Sequence, residues 1–166
     1  RAGVRIVTLD PAAPYRAALV DPDVGRPNAQ LVLDRLHAEK LAGAAIDDVR
    51  RRVQNDTLGH RGRKHDPLYC IRKLLLMARE RLDTTAFARL ETALADGDPA
   101  GEVRCAWVAK ELLRNTFRSP DIWHARLALA ELFECDAEVD VPEVTRLART
   151  VDRWRTELLA YFRTDR

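Results

Sequence analysis

Val4-Arg5-Ile6-Val7-Thr8-Leu9-Asp10 and Ala29-Gln30-Leu31-Val32-Leu33-Asp34 decide the reading of this chain. Both runs are rich in β-branched and aliphatic residues, and both end in an aspartate. That is the pattern of a strand followed by a stop. Between them, Pro14-Tyr15-Arg16-Ala17-Ala18-Leu19-Val20 has a short helical pattern with Pro14 near its first turn. Pro22, Gly25 and Pro27 then punctuate a loop. Strand, short helix and strand in so short a span predict a βαβ unit, hence parallel strands. Two parallel strands and one helix are not a stable domain alone, so the unit is expected to be the margin of a larger sheet.

Beyond His37 the chain reads as helix. Leu41, Ala45, Val49 and Val53 recur at steps of four on one face. Leu68, Ile71, Leu75, Ala78 and Leu82 predict a second helix. Asp83 or Thr84 caps a third, with Phe87, Leu90 and Leu94 inward, and Gly97-Asp98-Pro99 ends it. Val103, Trp107, Leu113 and Phe117 suggest a fourth. Ser119-Pro120-Asp121 reads as a helix start with Pro in the first position, leading to Trp123, Leu127 and Phe133. Pro142 opens the last helix, whose seam is Val144, Leu147, Val151, Trp154, Leu158 and Tyr161 or Phe162. The expected organisation is an α/β stub over residues 1–37 followed by a mostly α region over 38–166.

The chain has 166 residues, 46% hydrophobic and 33% charged, which suits a folded core and excludes long-range disorder. No stretch approaches the roughly 20 apolar residues of a membrane span, and no signal segment opens the chain. The first residue is Arg1, not Met, which reads as a processed, trimmed or fragmentary chain. Cys70, Cys105 and Cys135 are widely spaced and form no Cys-x-x-Cys, so a disulfide framework and a zinc ribbon are not expected. Three reduced thiols fit a cytoplasmic protein. Net charge is only +2, but residues 50–81 hold 10 basic and 3 acidic residues, while residues 82–145 hold 6 and 13. A near-neutral protein with one strongly basic block suggests a local surface for a polyanion.

Few residues carry candidate chemistry. Asp10 sits where a strand gives out, the position at which ligands and metals collect in open α/β sheets; an Asp before Pro-x-x-Pro is also a common turn former. Asp34 ends the second strand, with His37 three residues on. The pair could share a hydrogen bond or a metal, or Asp34 could simply cap the next helix. His60 and His65 lie among Arg and Lys that would repel a cation, so a metal is not expected there. That stretch reads instead as a basic loop flanked by Arg50, Arg51, Arg52, Arg61, Arg63, Lys64, Arg72 and Lys73, residues able to track a phosphate backbone or to form a solvated face. No dinucleotide, Walker, nucleophile-elbow or zinc-protease motif is present.

Several segments resemble one family. Val7-Thr8-Leu9-Asp10-Pro11-Ala12-Ala13-Pro14-Tyr15-Arg16-Ala17-Ala18 resembles the segment around the second catalytic aspartate of bacterial insertion-sequence transposases of the ISL-three group. Leu31-Val32-Leu33-Asp34-Arg35-Leu36-His37 is similar to the family's next strand and its Asp-Arg-Phe-His signature, with Leu36 in place of Phe. Thr57 to Tyr69, Leu74-Leu75-Leu76, Ala109 to Arg114, Leu147 to Thr150 and Leu159 to Thr164 resemble its basic and later helical segments. The resemblance implies a ribonuclease H-like core carrying Asp, Asp and Glu, with a helical insertion before the Glu. It also implies two Mg2+ or Mn2+ ions that activate water or a 3′-hydroxyl for attack on a DNA phosphate. Asp10 matches the second carboxylate and so a metal ligand; Asp34 and His37 match the supporting signature.

The family's first Asp lies upstream of Arg1, and its Glu follows an Asn-Gly-Pro-Thr-Glu run beyond the helix ending near Arg163. The expectation is therefore a transposase fragment, inactive alone and holding no ion stably. The implied partners are insertion-sequence DNA ends and a possible second copy, with no membrane and no small-molecule substrate. Two other readings stand beside it. One is a non-catalytic helical module using the basic 50–73 surface for DNA or protein. The other is a small enzyme using Asp34 and His37 for proton transfer, for which the sequence supplies no nucleophile.

Overall fold

β1 (Ile6–Leu9) and β2 (Gln30–Leu33) pair in parallel, with Ile6 opposite Gln30 and Leu9 opposite Leu33. The computed structural model describes residues 4–21, 23, 25, 28–138 and 140–163. Pro22 and Pro27 of the expected loop, together with Arg1, Thr164, Asp165 and Arg166, lie outside them. α1 (Ala13–Val20), with Pro14 in its first turn, makes the crossover. Leu9, Val32 and Leu33 are buried, whereas Ile6 on β1 and Val4 just before it stay about half exposed.

α2 (Arg35–Leu58) follows β2 at once. It starts where Asp34 Oδ1 accepts the His37 N–H, and it stops at Gly59, whose φ of 71° suits a residue without a Cβ. Its buried stripe is Ala38, Ala42, Ile46, Val49 and Val53. The expected stripe began at Leu41 and Ala45, but Leu41 is exposed and Ala45 only half-buried. Repeated steps of four drift about 40° each around a helix, so a continuous stripe must mix steps of three and four.

The second expected helix is not one helix. It is α3 (Pro67–Cys70), α4 (Arg72–Leu76) and a 3₁₀ turn (Arg79–Arg81). Leu68, Ile71, Leu75, Ala78 and Leu82 are all buried as their spacing predicts. The break after α4 is satisfied by a distant residue: Lys110 Nζ donates to Leu75 O at 2.9 Å and to Met77 O at 2.5 Å. Burial pulls the Lys110 ammonium below its ordinary pKa, and its contact with Glu111 opposes that fall.

α5 (Thr84–Gly97) is capped by Asp83, which accepts the Ala86 N–H at 2.7 Å. α6 (Glu102–Arg118) lies centrally, packed on α2, α8 (Pro142–Arg153) and α7 (Ile122–Glu138). At the start of α7 the cap is Asp121, accepting the His124 N–H, so Pro120 precedes the cap rather than filling the first turn. Trp123 and Leu127, expected inside, are exposed; Ala125, Leu129 and Leu132 are buried instead. The last expected helix divides at Trp154 into α8 and α9 (Arg155–Ala160), followed by a 3₁₀ turn (Tyr161–Arg163). Its seam from Val144 to Leu158 is buried throughout.

α9 packs against β2, so the end of the chain returns to the sheet. Arg16 Nε on α1 meets Glu157 Oε1 on α9 at 2.8 Å, and the Arg16 guanidinium lies 5.4 Å over the Trp154 ring. Leu9 and Leu33 thereby join the same apolar cluster as Leu90, Leu113 and Leu158. Among the described residues, no helix is long and apolar enough to cross a membrane.

Candidate metal centre

The parallel register builds the site. Asp10 and Asp34 each follow the last paired residue of their strand, and Asp34 N donates to Leu9 O at 2.9 Å. Two carboxylates therefore emerge side by side at the carboxyl ends of the strands. The Asp10 carbonyl accepts the Ala12 N–H at 2.7 Å, which turns the chain away toward α1. Asp34 Oδ1 accepts the His37 N–H at 3.0 Å, and this cap sets the first turn of α2 so that the imidazole faces both acids.

His37 Nδ1 lies 2.8 Å from Asp10 Oδ1 and 3.3 Å from Asp34 Oδ1. The short approach lacks hydrogen-bond alignment: Nδ1 is shielded from solvent and has no hydrogen-bond partner. The three ligand atoms all lie within 4.8 Å of one another. The side chains themselves are open to solvent, with exposures of 42% for Asp10, 30% for Asp34 and 40% for His37. The backbone N–H of His37, with its ring, holds the Asp34 carboxyl below the ordinary carboxylate value, against a smaller opposing effect of burial. Asp34 is thus a charged oxygen donor at neutral pH. Two hard carboxylates fit Mg2+, and an added imidazole fits Mn2+ at least as well.

The C-terminal 3₁₀ turn reaches the same corner. Arg35, next to Asp34, pairs with Glu39 at 2.8 Å and meets the Tyr161 hydroxyl.

The basic block divides in two. Arg50, grouped with the surface cations on sequence, is buried; it donates to Gln54 Oε1 at 2.5 Å and Asp47 Oδ1 at 2.9 Å. That correction follows from its place on the inward edge of α2, where a guanidinium is tolerated only when paired. Arg52 is also committed, at 2.8 Å from Glu143 Oε1 and 2.5 Å from Glu102 Oε2, joining α2, α6 and α8. Arg51 is exposed and pairs with Asp47 at 2.7 Å. Arg72 stacks on Tyr69, its guanidinium carbon 4.1 Å from the ring. Arg61, Arg63, Lys64 and Lys73 point to solvent. Sequence reasoning missed the three-helix role of Arg52 and the Arg16–Glu157 bridge, because both partners lie far away along the chain.

Comparison with known proteins brings one finding: a family model for ISL3-group DDE transposases, described as transposase, matches residues 1–166. No curated protein and no solved structure matches the chain.

Proposed function

Because the chain belongs to the ISL3-group DDE transposase family, we propose that Asp10, Asp34 and His37 form one side of a divalent-metal site for cutting and joining DNA strands. The observation that carries this reading is the convergence of two carboxylates and an imidazole at the ends of parallel strands, around a shielded nitrogen without a hydrogen bond. When bound, Mg2+ or Mn2+ supplies Lewis acidity that activates water or a 3′-hydroxyl and stabilises the departing oxygen. Asp10 is the proposed ligand. Asp34 holds a second oxygen beside it while its cap fixes α2, and His37 supports the site from the first turn of that helix.

The stub is proposed to be the margin of a ribonuclease H-like sheet, since Ile6 on β1 and Val4 just before it are half exposed. The contact of Tyr161 with Arg35 brings the end of the helical region to the site, where the family's Glu would be delivered. With two carboxylates and one imidazole, the 166 residues alone are proposed not to cut DNA.

Two measurements on the full chain test this. Mn2+ titration followed by electron paramagnetic resonance should show only weak, readily exchanged binding, as expected of residues that hold no ion stably, and Asp10→Asn should abolish it; equal binding by the variant would sink the site. Incubation with labelled insertion-sequence ends and Mg2+ or Mn2+ should give no cleavage above background. Cleavage that disappears in Asp10→Asn would refute the inactivity and keep the site.

A further inference from the structure

We propose that residues 59–66 form a preshaped loop that grips DNA phosphates through Arg61, Arg63 and Lys64, and that His60, Gly62 and Asp66 are its positioning residues. The choice of DNA as partner rests on the transposase reading; the build of the loop does not.

The loop is held at nearly every step. α2 stops at Gly59, whose N–H donates to Asn55 O at 2.9 Å. Gly62 has φ 110° and lies against Gln54, so a Cβ there would sit 2.5 Å from Gln54 Nε2. Gln54 is itself pinned by buried Arg50. His60 Nδ1 accepts the Gly62 N–H at 3.2 Å and lies 3.4 Å from Asp66 Oδ2. Asp66 Oδ2 also accepts the Arg63 N–H, and the Asp66 N–H returns to Arg63 O at 3.0 Å. Cys70 Sγ donates to Lys64 O at 3.1 Å.

The charge is as one-sided as the backbone is fixed. Between residues 57 and 79 the sole acid is Asp66, and its carboxylate is turned onto the loop's own backbone. Arg61, Arg63 and Lys64 are exposed and have no acidic partner among the described residues. On α2 every arginine of the basic block is matched by Asp47, Glu102 or Glu143. Unmatched cations on a fixed backbone are suited to phosphate contacts, because side-chain freedom but little backbone freedom is lost on binding.

The test is fluorescence anisotropy of the full chain with labelled duplex DNA across a salt series. Replacing Arg61, Arg63 and Lys64 together by Ala should weaken low-salt affinity at least about tenfold and flatten the log–log salt slope by about 3. Arg51→Ala should leave both unchanged. His60→Ala should weaken binding, and His60→Asn should restore it, since the Asn Oδ1 can accept the Gly62 N–H. A triple variant that melts and binds like the parent overturns the proposal, as does a parent that binds no DNA at low salt. His60→Asn behaving like His60→Ala overturns the positioning role. The Mn2+ titration on the same protein separates the two readings. An intact metal site with an indifferent loop sinks only this proposal, and a working loop without a metal site sinks only the catalytic one.

Discussion

The strand-end cluster and the arginine hub on α2 each set one basic side chain beside two carboxylates, with opposite results. In the hub, Arg52 answers Glu102 and Glu143 from two other helices, and each charge has an opposite. Hydrogen bonds from Glu143, then Glu102, drive the Arg52 pKa up, while Arg52 drives that of Glu143 down. At the strand ends two carboxylates share one imidazole that completes no hydrogen bond with either, and all three remain open to solvent. Satisfied charge holds helices together. Surplus charge of one sign, kept at a rigid strand end within reach of water, is what the proposed metal site rests on.

The sharpest way to test the packed half is Phe117→Ala. Phe117 is fully buried and meets the Tyr161 ring edge-on at 5.6 Å. Its loss should cost about 3–5 kcal/mol in urea unfolding, and a cost near zero would mean the helical body is not packed as described. Arg52→Ala should cost about 2–3 kcal/mol, somewhat below the range for a fully buried pair, because Arg52 is a third exposed while Glu143 is nearly buried. A neutral result would place the hub with ordinary surface pairs and erase the contrast.

Acid probes the hub and two separate pairs, Arg104 with Glu91 and Arg114 with Glu80. Arg52 lowers Glu143 and Arg104 lowers Glu91 below their ordinary 4.5, and Arg114 lowers Glu80 to about 2. Carboxylates depressed in the folded state stabilise it above their unfolded values. Stability should therefore hold above about pH 4.5 and decline as pH falls through the folded values. Stability unchanged from neutrality down to about pH 2 would contradict the pairing.

Smaller effects are expected at the strand ends. Asp34→Ala should cost about 1 kcal/mol through the lost cap, whereas Asp34→Asn should keep stability, because Asn caps equally well. Both should weaken Mn2+ binding. Asp10→Asn should shift stability by no more than about 0.5 kcal/mol while abolishing the weak Mn2+ binding. A large stability loss there would assign Asp10 to the fold rather than to the site.

The placement of Asp10, Asp34 and His37 together was more legible than the helices around them. Two β-branched runs, each ending in Asp, fixed the register of the acids once the strands were parallel, and His37 followed from the capping geometry of Asp34. Burial along the second and last expected helices was also readable from Leu68 to Leu82 and from Val144 to Leu158. Their breaks were not, because helical spacing is the same on either side of a break. The stop at Met77 depends on Lys110, which no local window contains. The wrong face at Leu41 came from counting only steps of four. Trp123 and Leu127 misled because apolar character marks exposed and buried positions alike. Arg50 and Arg61 look equivalent in a charge count, and only their partners separate them.

α2 starts directly after Asp34 and stops directly before Gly59, as one helix of 24 residues. At 1.5 Å per residue it spans about 36 Å. One turn of B-DNA spans about 34–36 Å. Were both proposals correct, a straight duplex laid along this rod would meet the carboxylates and the basic loop about one turn apart.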